Sequence, residues 1–214
     1  MITAKTPSRQ VPAWQQELAR AITDPAELLR ELKLDPALLP AARAAAARFP
    51  LRVPRGFVAR MVRGNPDDPL LRQVLPLGAE LEATPGFVTD PVGDRAAQAA
   101  PGVLHKYHGR ALLIVTGACA VHCRYCFRRE YPYAEAHAGA EEWRPALAYL
   151  AGDSSIREVI LSGGDPLSLS DRRLGALLAA LDQIPHLERL RIHSRQPIVL
   201  PERVDDGLLE LLAR

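Results

Sequence analysis

Cysteine is scarce in this sequence of 214 amino acids, which contains three cysteines. They stand at positions 119, 123 and 126, so any disulfide arrangement would leave one thiol over. The segments between them are also too short to brace a fold through bridges. The count and the spacing therefore exclude a small secreted domain held together by disulfides.

An excess of charge of one sign and long apolar runs are lacking as well. The 27 lysines and arginines nearly balance the 25 acidic residues, which leaves a net charge of +2 and no basic face for nucleic acid. No apolar stretch approaches the ~20 residues that span a bilayer, and the first residues lack the apolar segment of a secretory signal. We expect no nucleic-acid partner, no membrane span and a cytoplasmic location, where thiols stay reduced.

What the sequence does contain is enough apolar surface for a core, since 48% of its residues are hydrophobic. Residues 1–100 are predicted to form an N-terminal helical region. Asp24 and Pro25 mark one helix start, with Glu27 three residues after the cap, and Asp35 and Pro36 mark a second helix that runs to residue 49. Residues 70–75 are a weaker helix candidate, and residues 84–101 are predicted to be an irregular connection.

Beyond residue 100 the pattern changes to strands alternating with helices. Short apolar runs at residues 111–115, 159–161 and 190–192 are typical of buried strands, and the leucines of residues 174–181 recur at helical spacing behind a Ser170 cap. Strands that alternate with helices predict a parallel sheet in an α/β fold.

Each predicted strand is followed by an unusual loop. The cysteines follow the first strand, Gly163, Gly164 and Asp165 follow the second, and His193 and Arg195 follow the third. Because parallel strands share the edge at which they end, the three loops should meet around one cavity.

The cysteine spacing, C-x3-C-x2-C, indicates metal chemistry, because soft thiolates bind iron-sulfur clusters, zinc or copper. An iron-sulfur cluster is favoured. Zinc with His122 or a distant histidine as fourth ligand remains an alternative, as do ordinary buried cysteines. The other residues have plain interpretations too: glycine pairs mark turns, Asp165 caps a turn, a lone histidine is often structural, and Lys106, Tyr107 and Arg110 are edge residues.

Together the motifs resemble the lysine 2,3-aminomutase family of radical S-adenosylmethionine (SAM) enzymes. The resemblance rests on the cysteine triad with Tyr125 before its last member, and on the motifs at residues 105–110, 127–129, 161–167 and 191–195. Residues 52–61 and 68–71 favour the branch whose aminomutase converts (S)-α-lysine to (R)-β-lysine for attachment to elongation factor P. A catabolic aminomutase acting on free lysine is the alternative.

The resemblance implies the fold, the cofactors and the site. Residues 101–214 would be a radical SAM core, the first three strand-helix units of a partial parallel (β/α) barrel. Cys119, Cys123 and Cys126 would hold three irons of a [4Fe-4S] cluster, and SAM would take the fourth iron. The resemblance assigns SAM binding to Tyr125, Gly163, Gly164, Asp165, His193 and Arg195, the substrate carboxylate to Arg128, and pyridoxal 5′-phosphate to Lys106, Tyr107 and Arg110. An electron donor such as flavodoxin or ferredoxin would serve the cluster.

The sequence also departs from the family pattern. The family builds about six strand-helix units and anchors pyridoxal phosphate on a lysine near its C-terminus, whereas Lys5, Lys33 and Lys106 do not match that position. We therefore expect a C-terminally truncated member with an open sheet edge, for which an oligomer is possible. A metal-binding fragment without catalysis is the alternative from another class.

Overall fold

The computed structural model describes residues 11–133 and 143–213. In this part of the chain, helices come first and a five-stranded sheet with further helices follows. The α-helices are α1 (Ala13–Ala19), α2 (Pro25–Glu31), α3 (Leu39–Arg48), α4 (Arg55–Val58), α5 (Arg144–Gly152), α6 (Asp171–Leu181), α7 (Gln196–Val199) and α8 (Asp206–Leu212). The strands are β1 (Gln98–Ala100), β2 (Val103–Tyr107), β3 (Arg110–Thr116), β4 (Glu158–Gly163) and β5 (Arg189–Ile192). No helix in these ranges is long and apolar enough to cross a membrane.

Two of the N-terminal helices begin at the caps that the sequence predicts. The Asp24 carboxylate accepts from the N–H of Ala26 at 2.9 Å at the start of α2. Asp35 caps a 3₁₀ turn, Pro36–Leu38, that leads into α3. The predicted helix at residues 70–75 is wrong, because the structure has only the 3₁₀ turn Leu71–Gln73 there. Asp68 holds the start of that turn, and Pro76 follows too closely for a longer helix.

The three predicted strands are confirmed as a parallel set. β3 pairs in parallel with β4, and β4 pairs in parallel with β5. The helix predicted behind Ser170 is α6, which buries Leu174, Leu177 and Leu181. This is the partial α/β barrel that the sequence analysis expects.

Two antiparallel strands, β1 and β2, extend the sheet in the order β1-β2-β3-β4-β5. β1 lies inside the segment predicted to be irregular, so that prediction is wrong at residues 98–100. β2 turns directly into β3 through His108 and Gly109, and Gly109 has a φ of 75° that favours glycine. The two-residue turn between apolar runs is the sequence signal that could have revealed this hairpin.

The two faces of the sheet serve different purposes. The outer face packs Leu113, Val115, Val159 and Leu161 against α5, α6 and α8 in one apolar core. The inner face carries the alternating residues of the same strands, and Leu112 and Ile160 face one another there across the parallel pair. The inner face is the one available to a site.

The N-terminal helices have a core of their own that reaches into the sheet region. It includes Ala120 and Val121 from the cysteine loop and Val199 and Leu200 after β5. The cysteine loop is therefore anchored in the helical region at one end and in β3 at the other. The domain division near residue 100 stays a prediction.

Candidate functional site

The loops that follow β3, β4 and β5 are joined by hydrogen bonds, as the shared strand ends predict. The Gly164 N–H donates to Thr116 O at 2.7 Å, and the Asp165 N–H donates to Ala118 O at 2.8 Å. The Asp165 carboxylate accepts from Ser194 Oγ at 2.7 Å and from the Arg195 N–H at 2.8 Å. The β4 loop is thus the central link between the other two.

Gly163 and Gly164 are required by this close approach of one backbone to another. A Cβ on Gly164 would lie 2.5 Å from Ala118 O, and one on Gly163 would lie 2.8 Å from Thr116 O. Gly163 also has a φ of 111°, which side chains rarely adopt. The backbone that comes close to these glycines is the chain's own, in the loop that carries the cysteines.

All three cysteines are free and partly buried. Burial raises the pKa of the Cys119 thiol to about 12, and the negative charges of Asp165 and of the other two cysteines act in the same direction. Burial likewise raises the pKa of Cys126. Without a metal, the Cys119 and Cys126 thiols stay protonated at neutral pH, so a bound metal would have to release their protons.

Three soft thiols on one short loop suit an iron-sulfur cluster, in which each iron takes its own thiolate. Among the described residues, no group of three or more His, Cys, Asp or Glu side chains is arranged to hold a single metal ion. An iron-sulfur cluster does not need its thiolates to converge on one point. The three cysteine thiols therefore fit an iron-sulfur cluster.

Arg195 reaches from the β5 loop to the cysteine loop. Its Nη1 donates to Cys123 Sγ at 2.7 Å and its Nη2 donates to Gln73 Oε1 at 2.7 Å. The guanidinium also lies over the ring of Tyr125, which is 61% exposed. His193 lies exposed directly after β5, and its backbone N–H donates to Leu161 O at 3.0 Å.

A cavity of about 220 Å³ lies on the inner face of the sheet, next to the cysteine loop. It brings together four residues that the sequence analysis singles out, Lys106, Tyr107, Arg110 and Arg128, with apolar walls that include Leu112 and Ile160. Three cations in a partly apolar cavity favour a ligand with more than one anionic group.

Asp94 is the residue of this cavity that the sequence analysis missed. Its side chain is 3% exposed, and its carboxylate accepts from Lys106 Nζ at 2.5 Å and from Arg128 Nε at 2.7 Å. The Asp90 carboxylate accepts from the N–H of Asp94 at 2.8 Å and so orients the loop. An acidic residue in an irregular segment carries no signal of its own, because its partners are far away in sequence.

Glu158 is a second missed residue, at the base of the inner face. Burial alone would raise its pKa, but the hydrogen bonds from Arg110 and Arg191 outweigh burial and lower it. The Arg110 Nε donates to Glu158 at 2.7 Å, and the Arg191 Nε pairs with the other carboxylate oxygen. Glu158 therefore holds Arg110 at the edge of the cavity.

Arg128 and Arg129, which follow the cysteines, contact different parts of the structure. Arg129 donates to Glu80 at 2.9 Å, and Arg124 donates to the same carboxylate. These arginines hold the cysteine loop against the N-terminal region. Arg128 instead lines the cavity, where its Nη1 also contacts Ser162 Oγ at 3.3 Å.

Comparison with known proteins agrees with this geometry. The profile of the Radical SAM superfamily matches residues 113–214. The L-lysine 2,3-aminomutase of Escherichia coli (strain K12) is 53% identical, over 100% of this chain and 62% of the relative. The L-lysine 2,3-aminomutase of Haemophilus influenzae is 46% identical, over 96% of the chain and 61% of the relative. That of Clostridium subterminale is 36% identical, over 70% of the chain and 36% of the relative.

The chain thus spans about three fifths of the length of the first two relatives. The match to the superfamily profile begins in β3 and takes in all three loops of the site. The chain belongs to the lysine 2,3-aminomutase family of the radical SAM superfamily.

Proposed function

We propose that this chain carries the cofactor-binding part and one side of the substrate pocket of an isomerase that moves the amino group of lysine from Cα to Cβ. The observation that carries the proposal is the cavity beside the cysteine loop, which collects Lys106, Tyr107, Arg110 and Arg128. Each of these residues matches the family motif, and here they line one cavity. Lys106, Arg110 and Arg128 bring three positive charges to it, which Asp94 and Glu158 balance in part.

Cys119, Cys123 and Cys126 would hold the [4Fe-4S] cluster, which leaves one iron open for SAM. When bound, the cluster supplies the electron that cleaves SAM and so starts the radical reaction. Gly163, Gly164 and Asp165 use their backbone and carboxylate to join the loops, so they would shape the SAM pocket. Tyr125, His193 and Arg195 would form the rest of its wall.

Arg128 is suited to bind the carboxylate of lysine. Asp94 accepts from its Nε and Ser162 Oγ accepts from one Nη1 hydrogen, so Nη2 and the second Nη1 hydrogen remain for a two-oxygen anion. Lys106, Tyr107 and Arg110 would hold the phosphate of pyridoxal 5′-phosphate. The Lys106 ammonium already donates to Asp94 and to Val92 O, so we propose that it binds the phosphate through charge and hydrogen bonds without a covalent link.

We further propose that the β-lysine serves elongation factor P, because residues 52–61 and 68–71 resemble that branch of the family. A cytoplasmic setting with flavodoxin or ferredoxin as electron donor suits three reduced thiols. Use of free lysine in metabolism is the alternative. Purified elongation factor P with its lysylating enzyme separates the two: β-lysine appears on the protein in the first case and stays free in the second.

The test is anaerobic reconstitution of the full chain with iron and sulfide, followed by reduction with dithionite in the presence of SAM, pyridoxal phosphate and L-lysine. We expect about four irons per chain, visible thiolate-to-iron absorbance, release of 5′-deoxyadenosine and formation of β-lysine. Cys126→Ala should abolish iron loading.

Arg128→Gln tests substrate binding separately from cluster binding. Its cluster should assemble, but lysine turnover should fall by about 100-fold or more, since a charged bidentate contact is lost. Arg43→Gln, at an exposed position on α3, is the matched control and should behave as the parent chain. If the parent chain binds no iron, or binds zinc instead, the chain would be a non-catalytic metal-binding fragment. A cluster without β-lysine would limit the chain to the cofactor-binding part.

A further inference from the structure

Arg195 is the point at which all three loops and the N-terminal region meet. Its backbone N–H is held by Asp165 at 2.8 Å, and its guanidinium reaches Cys123 Sγ at 2.7 Å. The other terminal nitrogen is held by Gln73 Oε1 at 2.7 Å. Arg195 is therefore held at its backbone and at its guanidinium, and its charge is directed at one sulfur of the triad.

Gln73 strengthens this arrangement because it contacts both the cysteine loop and Arg195. Its carbonyl oxygen accepts from the backbone N–H of Arg124 at 2.8 Å, which fixes the cysteine loop, while its side chain fixes Arg195. The ring of Tyr125 lies under the guanidinium, with 5.5 Å between the guanidinium carbon and the ring centre. The donor is thus oriented by the protein itself, and binding a cluster would require little reorganisation of it.

We infer that Arg195 is a positioning residue for the cluster: its guanidinium donates a charged hydrogen bond to the Cys123 sulfur and raises the reduction potential of the cluster held there. This inference rests on the proposed function, because it requires the triad to bind a cluster. The physical reason is that reduction adds one electron from an external donor to the cluster and makes its sulfurs more negative. A positive donor therefore stabilises the reduced form more than the oxidised form.

Among the charged side chains of the site described here, Arg195 differs in its target. Arg128 is held by Asp94, and Arg129 by Glu80, so these two influence the thiols through their charge at longer range. Arg195 donates directly to a sulfur. Its removal should consequently affect the potential more than the removal of a nearby charge that makes no such bond.

The experiment is a redox titration of the reconstituted full chain, in which electron paramagnetic resonance follows the reduced cluster. Arg195→Gln should lower the midpoint potential, by a shift equivalent to about three- to ten-fold in the ratio of reduced to oxidised cluster, or roughly 30 to 60 mV for one electron. Arg195→Lys keeps the charge but loses the planar guanidinium, so its midpoint potential should lie between those of the parent chain and Arg195→Gln. Because the signal comes only from assembled cluster, incomplete loading does not change the midpoint.

Arg72→Gln is the matched control, since Arg72 is exposed on the same turn as Gln73 and its loss removes the same charge. Its midpoint should equal that of the parent chain. If Arg195→Gln and Arg72→Gln have the same midpoint, or if Arg195→Gln raises the potential, the inference is wrong while the cluster itself stands. If the parent chain assembles no cluster, the proposed function fails, and this inference fails with it.

Discussion

Replacing Gly164 by alanine tests the way in which the loops of the site are held together. The added Cβ would lie 2.5 Å from Ala118 O and 2.8 Å from Gly117 C, both of them backbone atoms that cannot rotate away. The β3 and β4 loops would have to move apart by about 0.5 to 1 Å to reach an ordinary contact distance. That movement also stretches the bonds from the Gly164 and Asp165 N–H groups to the cysteine loop.

The expected cost follows from these two effects. Overpacking costs about 1–3 kcal/mol, and two weakened hydrogen bonds add up to about 1 kcal/mol in total. We therefore expect the Gly164→Ala variant to be less stable by about 1–4 kcal/mol, which lowers the melting temperature by roughly 2–16 °C for a chain of this size. The displaced cysteine loop should also load less iron.

Gly152→Ala is the matched control. Gly152 ends α5, and a Cβ there would meet no atom within 4 Å. This variant should be as stable as the parent chain or more stable by up to about 1 kcal/mol, because alanine favours helix. Urea unfolding followed by circular dichroism measures both variants. Equal stability and equal iron loading of the two would refute the argument that loop contact dictates glycine at position 164.

Two further predictions concern buried acids. Asp94→Asn should destabilise the chain by about 1–3 kcal/mol in urea unfolding, because one side of the amide is a donor and would face a donor of either the Lys106 ammonium or the Arg128 guanidinium. Asp67→Asn, at an exposed position, should change stability by less than about 0.5 kcal/mol, and an equal loss in both variants would contradict the bridging role. Burial alone would raise the pKa of Glu80, but the hydrogen bonds that it accepts from two arginines lower the pKa. The stability that ionised Glu80 contributes is therefore present above its ordinary pKa of 4.5 and is lost as the pH falls through the pKa of the folded state. The stability difference between the parent chain and Glu80→Gln should therefore shrink below about pH 4.5. A constant difference down to pH 3 would disprove the assignment.

Much of the fold follows from signals that are local in the sequence. The caps at Asp24, Asp35 and Ser170, the three apolar strands and the helical spacing of the α6 leucines all depend on neighbours within a few residues. The family motifs are equally local, which is why the cysteine loop and its companions could be recognised before their positions in space were known. The predicted helix at residues 70–75 failed because a single proline limits the turn that Asp68 starts.

The site itself depends on partners that are far apart in the chain. Asp94 joins Lys106 and Arg128, and Glu158 joins two arginines on neighbouring strands, so neither role can be read from flanking residues. Strand β1 was missed for the same reason, since only its pairing with β2 turns this short segment into a strand. The hairpin of β2 and β3 did have a local signal, the two-residue turn between them.

The sequence by itself determined the chemistry available to this protein: three thiols on one loop, glycines and an aspartate on the next, and cations around them. Only the tertiary structure decided how these groups are used. It assigned Gly163 and Gly164 to contact between loops, Arg128 to the cavity, and Arg195 to a cysteine sulfur. The physical reason is that steric contact and charge pairing act over a few ångströms, and which groups come that close depends on the register of the strands that carry them.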